Sequence, residues 1–289
     1  MEKIKIAIIG GTGVYDVEGI KVVDELDITT AWGKPSDKIT VGEFQGHKVA
    51  FLPRHGKGHF ISPTNIPQCA NMAALKSLGV EKILAFSAVG SLKEEIKPTD
   101  FILPTQIVDR TRHRVDTFYN EGIVVHTSFG DPFCESISLI AQQSLKKLNV
   151  KFHTNETLIC MEGPSFSTRA ESKLYKSWGA GIINMSVIPE AKLARELEMA
   201  YQMVCMSTDY DSWREAEGAV TSGDIMAVVG KNSTVAKKLV LEILPQLIEL
   251  DYDKTEAFNA VKFSVITAHD KRPRDVVAKY EKLLPGYFN

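Results

Sequence analysis

Short apolar runs rich in β-branched residues recur along this chain, and most of them finish in glycine or a small polar residue. Residues 4–9 form the first such run and close on Gly10-Gly11-Thr12-Gly13, the pattern of a buried strand ending in a tight turn. Residues 39–44 and 48–52 flank Gln45-Gly46-His47 and read as a hairpin. Further strands are predicted over 82–88, 100–108, 157–161, 181–186 and 201–205. Helix-spaced apolar residues lie between them. They span 65–78, with Gly79 as the residue that ends the helix, then 136–148 and 189–197. Thr168 and Glu171 have the spacing of a capping box, so another helix starts there. Residues 222–247 carry the pattern of one or two long helices, broken near Pro245. The irregular stretch 117–132 reads as a long loop, a type that is usually functional or interfacial. Strands alternating with helices predict one three-layer α/β domain over 1–289, with 266–289 as a C-terminal extension.

The totals narrow the function classes. The chain has 289 residues, 44% of them apolar and 24% charged, which supplies a sizeable core. A formal net charge of −2 gives no reason to expect nucleic acid or an anionic membrane as partner. Cys69, Cys134, Cys160 and Cys205 lie far apart without a C-x-x-C spacing, which favours a reducing cytosol over a disulfide framework or a metal site. The start, Met1-Glu2-Lys3-Ile4-Lys5, is too charged to open a signal peptide, and no apolar run approaches the roughly 18 residues of a membrane span. A cytoplasmic enzyme or binding protein is the expectation.

Candidate chemistry gathers at the strand ends. The first glycine turn misses the dinucleotide fingerprint, because from Gly11 the third glycine would fall at Asp16. A small anion such as phosphate suits it better, with the Thr12 hydroxyl as an added donor. Arg54 and His55, in a glycine-bounded loop, can offer planar N–H donors to an oxyanion. Ser87 and Ser186 end two other strands. Asp209 and Asp211 follow a buried strand, where open α/β sheets place their ligands, and in an extended segment both would face one side. An Asx-turn capping the next helix is the plainer reading of that pair. One pocket with a donor-rich half and an acidic half suits phosphate as nucleophile and a purine as leaving group.

Taken together, Gly10-Gly11-Thr12-Gly13, Arg54-His55-Gly56, Ser87-Ala88-Val89-Gly90-Ser91-Leu92, the run from Glu162-Gly163-Pro164 to Arg169-Ala170-Glu171, Asn184-Met185-Ser186 and Thr208-Asp209-Tyr210-Asp211 resemble the methylthioadenosine phosphorylases. These belong to the trimeric branch of the purine nucleoside phosphorylases. The resemblance implies a central mixed, twisted sheet flanked by helices. It puts phosphate on Thr12, Arg54, His55, Ser87, the Ala88 backbone and Ser186, and the ribose near Met185. It puts the purine among Phe166, Ser167, Thr208, Asp209 and Asp211, and the methylthio end against Ile225 and Met226. His126 would reach in from a neighbouring subunit of a homotrimer. Asp209, Asp211 and Ser87 would carry the chemistry, with no cofactor and with inorganic phosphate as co-substrate. The family often has Thr where this chain has Ser87 and Ser186, and both keep the hydroxyl; Val89 stands where relatives carry Cys. The implied reaction is phosphorolysis of methylthioadenosine to adenine and 5-methylthioribose 1-phosphate, in purine and methionine salvage. The alternatives are a phosphorylase for methylthioinosine or another purine nucleoside, a non-catalytic nucleotide-binding module or a dehydrogenase, and a phosphate-binding regulatory protein.

Overall fold

The structure is a computed structural model that describes residues 3–10, 17–214 and 222–289. Nine strands form one mixed sheet: β1 (Ile6–Gly10), β2 (Lys21–Leu26), β3 (Ile39–Phe44), β4 (His47–Pro53), β5 (Lys82–Ser91), β6 (Phe101–Arg110), β7 (Phe152–Met161), β8 (Ile182–Asn184) and β9 (Ala200–Asp209). Their order is β2-β3-β4-β1-β5-β8-β7-β6-β9, and β5 also pairs with β9, so the last five strands close into a ring. The helices are α1 (Gln68–Ser77), α2 (Glu135–Lys147), α3 (Arg169–Ser177), α4 (Val187–Glu196), α5 (Ser222–Glu249) and α6 (Arg274–Tyr280).

The period-2 rule explains the layering. Along β1, Ala7 and Ile9 join the core under α1 and α4, while Ile6 and Ile8 join the core under α2 and α5. A strand covered on both faces reads as a continuous apolar run, which is why β1, β5 and β9 stood out in the sequence. The hairpin from β3 to β4 turns on Gln45 and Gly46, both at positive φ, as a two-residue turn requires. Thr168 caps α3 with the reciprocal bonds of a capping box to Glu171.

Two elements depart from the sequence reading. Strand β2 was not predicted: its side chains are almost all exposed and carry no apolar alternation, so pairing with β3 alone defines it. Helix α5 runs through Pro245 without a break. Its apolar face (Ala236, Leu239, Val240, Ile243, Leu244, Leu247) continues past the proline, and burial of that face outweighs the lost hydrogen bond. Among the described residues no helix is long and apolar enough to cross a membrane.

Candidate active site

Strands β4, β1, β5 and β9 are parallel neighbours, so their carboxyl ends share one edge of the sheet. Arg54 follows β4 and its N–H donates to Gly10 O at 3.0 Å, at the mouth of the first glycine turn. Thr12, in that turn, lies outside the described residues. In β5, Ala88 is exposed in a strand that is otherwise almost wholly buried. Its face is left uncovered at this point. Beside it Gly90 pairs with Asp209 after an irregularity in the β5–β9 register.

One wall of this edge is a set of donors already locked in place. Arg54 is fully buried: Nε and Nη2 donate to the two Glu190 oxygens at 2.5 and 2.7 Å, and Nη1 to Phe86 O at 2.9 Å. The Tyr201 hydroxyl also donates to Glu190, at 2.7 Å. Thus the fork of Arg54, expected to grip an oxyanion, is turned onto a carboxylate of α4. Ser87 Oγ and Ser186 Oγ are 3.1 Å apart, and Asn184 Nδ2 donates to both at 3.1 and 3.3 Å. Two strand ends nearly a hundred residues apart in sequence therefore present paired hydroxyls.

His55 is buried, and burial pushes its imidazole down to about 4, so the ring is neutral. Nδ1 lies 2.8 Å from Ile61 O, and since a carbonyl only accepts, Nδ1 carries the proton. Nε2 is then an acceptor. In this state His55 offers Nε2 as an acceptor to a protonated phosphate oxygen, where the sequence suggested an N–H donor.

The opposite wall is acidic. Asp209 ends β9, and burial raises its carboxyl to about 6. The Thr208 hydroxyl meets its Oδ2 at 2.7 Å and the Asp211 N–H meets Oδ1 at 2.9 Å. Each oxygen keeps a second direction for a ligand. Asp211 is buried too, and burial raises it as well, with the Ser172 and Ser167 hydroxyls pulling the other way. Its backbone sits at a positive φ of 21°, so the segment is not extended as expected. The Asx-turn geometry is real: the Asp211 N–H donates to Asp209 Oδ1, which folds the two acidic residues toward each other. Gly90 makes room for them, since a Cβ there would stand 3.2 Å from Asp209 Oδ1 and from Asp211 Cβ.

The remaining predicted residues divide. Ser167 is buried with its hydroxyl 3.5 Å from Met161 Sδ, Met185 is half-buried, and Phe166 is 44% exposed. Helix α5 crosses the end of β9 where Asn232 Nδ2 donates to Ser207 O, and its far end meets the start of β5 through Lys82. It therefore runs antiparallel to the strands. Ile225, half-buried, and Met226, 55% exposed, overhang the strand ends by roughly 10 Å at 1.5 Å per residue. His126 is exposed, and its backbone partner is Ser264 of the C-terminal segment, not a cleft residue.

Sequence reasoning missed the supports. Glu190 sits 136 positions from Arg54 and carried no local signal. Arg114 is buried and donates to Met185 O at 2.7 Å, Ile188 O at 2.5 Å and Glu162 O at 2.6 Å. It ties the turn after β7, which leads to Phe166 and Ser167, to the turn after β8, which carries Met185 and Ser186. Glu162 in turn accepts from Thr64 and from the Arg112 and His113 N–H groups. Burial opposes its ionisation, but these bonds and the Arg114 charge hold its carboxyl down at about 2. Nothing in the basic run around Arg112 distinguishes the one buried arginine from its exposed neighbours. A cavity of about 310 Å³ lined by Trp32, Gln68, Cys69 and Val115 shares Arg114 with this clamp, but none of the predicted site residues lies on its wall.

A strand edge with paired hydroxyls, a buried cation and a neutral imidazole on one side and the Asp209 and Asp211 carboxyls on the other defines a site for an anion beside a hydrogen-bonding heterocycle. The model of the phosphorylase superfamily matches residues 5–245. S-methyl-5′-thioadenosine phosphorylase of Aspergillus fumigatus is 48% identical over 302 aligned positions, covering all of this chain and 88% of that one. Its counterpart in Schizosaccharomyces pombe is also 48% identical, covering 99% of this chain and 97% of its own. Among solved structures, a methylthioadenosine phosphorylase from an antarctic soil metagenomic library superposes with a TM-score of 0.93 at 38% identity, over 99% of this chain and all of that one. The Schistosoma mansoni methylthioadenosine phosphorylase in complex with adenine gives 0.84 at 31%, over 99% of both chains. The chain belongs to the phosphorylase superfamily and, within it, to the S-methyl-5′-thioadenosine phosphorylases.

Proposed function

We propose that this chain splits S-methyl-5′-thioadenosine with inorganic phosphate, giving adenine and 5-methylthioribose 1-phosphate. The observation that carries the reading is Asp209: a part-buried carboxyl, raised to about 6, at the strand end beside Ala88 and Gly90. Glycosidic cleavage leaves negative charge on the departing purine and positive charge on the sugar. Asp209, protonated on one oxygen, donates to purine N7 while the other oxygen accepts from the 6-amino group. General acid catalysis of this kind contributes about 10²–10⁴-fold. A carboxyl raised to about 6 is half-protonated at that pH, so the acid form is accessible near neutrality. Burial is the largest cause of the shift and the Asp211 charge adds to it.

Phosphate sits between Ser87 and Ser186, with the Ala88 backbone, Arg54, His55 and Thr12 around it. The bonds that Asn184 donates and Glu190 accepts fix the first wall before substrate arrives, a form of preorganisation that costs no rearrangement during the reaction. Bound phosphate then serves as nucleophile and as counter-charge for the oxocarbenium-like sugar. Met185 borders the ribose, Phe166, Ser167, Thr208 and Asp211 the base, and Ile225 and Met226 the methylthio group. His126, exposed on one chain, enters the site of a neighbouring copy in a homotrimer. The reaction needs no cofactor, and the enzyme works in the cytoplasm in purine and methionine salvage. Schistosoma mansoni relatives solved with adenine and with methylthioadenosine support this choice of ligand.

The test is adenine release from methylthioadenosine with and without phosphate. Release that depends on phosphate and yields the sugar 1-phosphate is expected; adenine formed equally well without phosphate, or none formed at all, contradicts the proposal.

A further inference from the structure

The C-terminal segment after α5 binds one stretch of chain more than any other. Val125 and Val265 form an antiparallel bridge, flanked by His126 N–H to Ser264 O and Ile266 N–H to Val124 O, each at 2.9 Å. The Val124 N–H donates to Thr267 Oγ1 at 2.8 Å. Further along, Lys279 pairs with Glu121 at 2.8 Å, and the Tyr280 hydroxyl donates to Phe118 O at 2.7 Å. Gly122, at positive φ, lies so close to Pro273 that an added Cβ would meet it at 3.0 Å. Each of these contacts falls within 118–126.

The tail is also closed upon itself. Arg272 donates to Thr267 O and to Phe288 O, at 2.9 and 3.1 Å. The Glu281 carboxylate accepts from the N–H groups of Gly286, Phe288 and Asn289. Tyr280 and Phe288 are buried against Tyr119, and Trp32 stacks on Tyr280 while meeting Phe118 edge-on. From the other side the Glu196 carboxylate accepts from the Thr117 hydroxyl and the Phe118 N–H, at 2.6 and 2.7 Å. Glu196 grips only the start of the loop. Beyond Tyr119 the tail supplies the hydrogen bonds that set its path to His126.

We propose that residues 264–289 are a positioning element that fixes the path of 118–126 and so aims His126 at the 5′ end of the nucleoside. This rests on the role given to His126 above. Tyr280 and Thr267 touch no substrate; they act through the loop, and their loss is felt in substrate binding more than in turnover.

The test compares Tyr280→Phe/Thr267→Val, His126→Ala and the combination in the full-length enzyme. Tyr280→Phe keeps the packed ring and Thr267→Val keeps the side chain's shape, so both remove a hydroxyl without opening a cavity. The tail variant is expected to raise KM for methylthioadenosine roughly tenfold, the scale of one or two lost hydrogen bonds. Its kcat and its KM for phosphate should stay within about twofold. Adding it to His126→Ala should raise KM no further than the larger single effect, because both act through one side chain. A tail variant that leaves KM unchanged while His126→Ala raises it overturns the positioning role alone, as do effects that multiply. If His126→Ala is itself silent, the role of His126 falls and the aiming function falls with it.

Discussion

The two walls of the cleft are built on opposite principles. The anion wall is closed on itself: Arg54 on Glu190, Ser87 on Ser186, both on Asn184. The acidic wall holds two carboxyls, Asp211 buried and Asp209 part-buried, and Asp209 is held by the Thr208 hydroxyl and the Asp211 N–H. The first wall fixes its polar groups in place before the ligand comes. The second is a poor environment for charge, and burial there raises the proton affinity of Asp209. Preorganised donors stabilise charge that arrives with the ligand; a desolvated acid is useful because its charge is unwelcome.

The comparison breaks most sharply at Asp209. Asp209→Asn keeps the bond from the Asp211 N–H but cannot give up a proton, and kcat should fall about 10²–10⁴-fold. The same change should stabilise the fold at neutral pH. Because the folded carboxyl is raised to about 6 from an ordinary 3.8, the native state loses stability as pH rises from about 4 through 6. Above pH 7 the cost is roughly 3 kcal/mol at about 1.4 kcal/mol per pKa unit. Urea unfolding should show variant and parent alike near pH 4, with the variant up to about 3 kcal/mol ahead at pH 8. An enzyme inactivated but not stabilised would show that burial of this carboxyl is not under strain.

On the other wall the sign reverses. Glu190→Gln strips the counter-charge from a fully buried Arg54, and such losses cost about 3–5 kcal/mol. Urea unfolding again measures it, and a loss below about 1 kcal/mol would mean that the pair does not hold the wall. Ser186→Ala is the smallest change. It removes one prepared hydroxyl, worth about 1 kcal/mol, and should raise KM for phosphate about fivefold while leaving KM for the nucleoside within twofold.

Much of this arrangement could be read along the chain, for a physical reason. Strands buried on both faces are apolar without interruption, so β1, β5 and β9 announce themselves, and a glycine or serine at such a strand's end has little reason to be there except a turn or a ligand. That placed Ser87, Ser186, Asp209 and Asp211 on one edge. What stayed hidden depends on distant partners. Arg54 looked like a free phosphate donor because nothing near it in sequence reveals Glu190. Arg114 looked like one more surface cation. His55 was read as a donor because the carbonyl that fixes its tautomer comes from the far side of its own loop, at Ile61. Strand β2 has no buried face, hence no pattern. The tail after Val265 is legible only in three dimensions, since its aromatic residues match a loop that is itself irregular.

The central claim is that Asp209 both protonates the base and reads its 6-substituent. The most direct measurement is the ratio of kcat/KM for methylthioadenosine to that for methylthioinosine, in the parent and in Asp209→Asn. The expected parent preference for the 6-amino substrate is at least about fivefold, the scale set by about 1–3 kcal/mol for an unpaired buried polar group. The variant is expected to lose or invert this preference, because an amide can donate to a 6-oxo group. A preference that survives the substitution unchanged would contradict that claim.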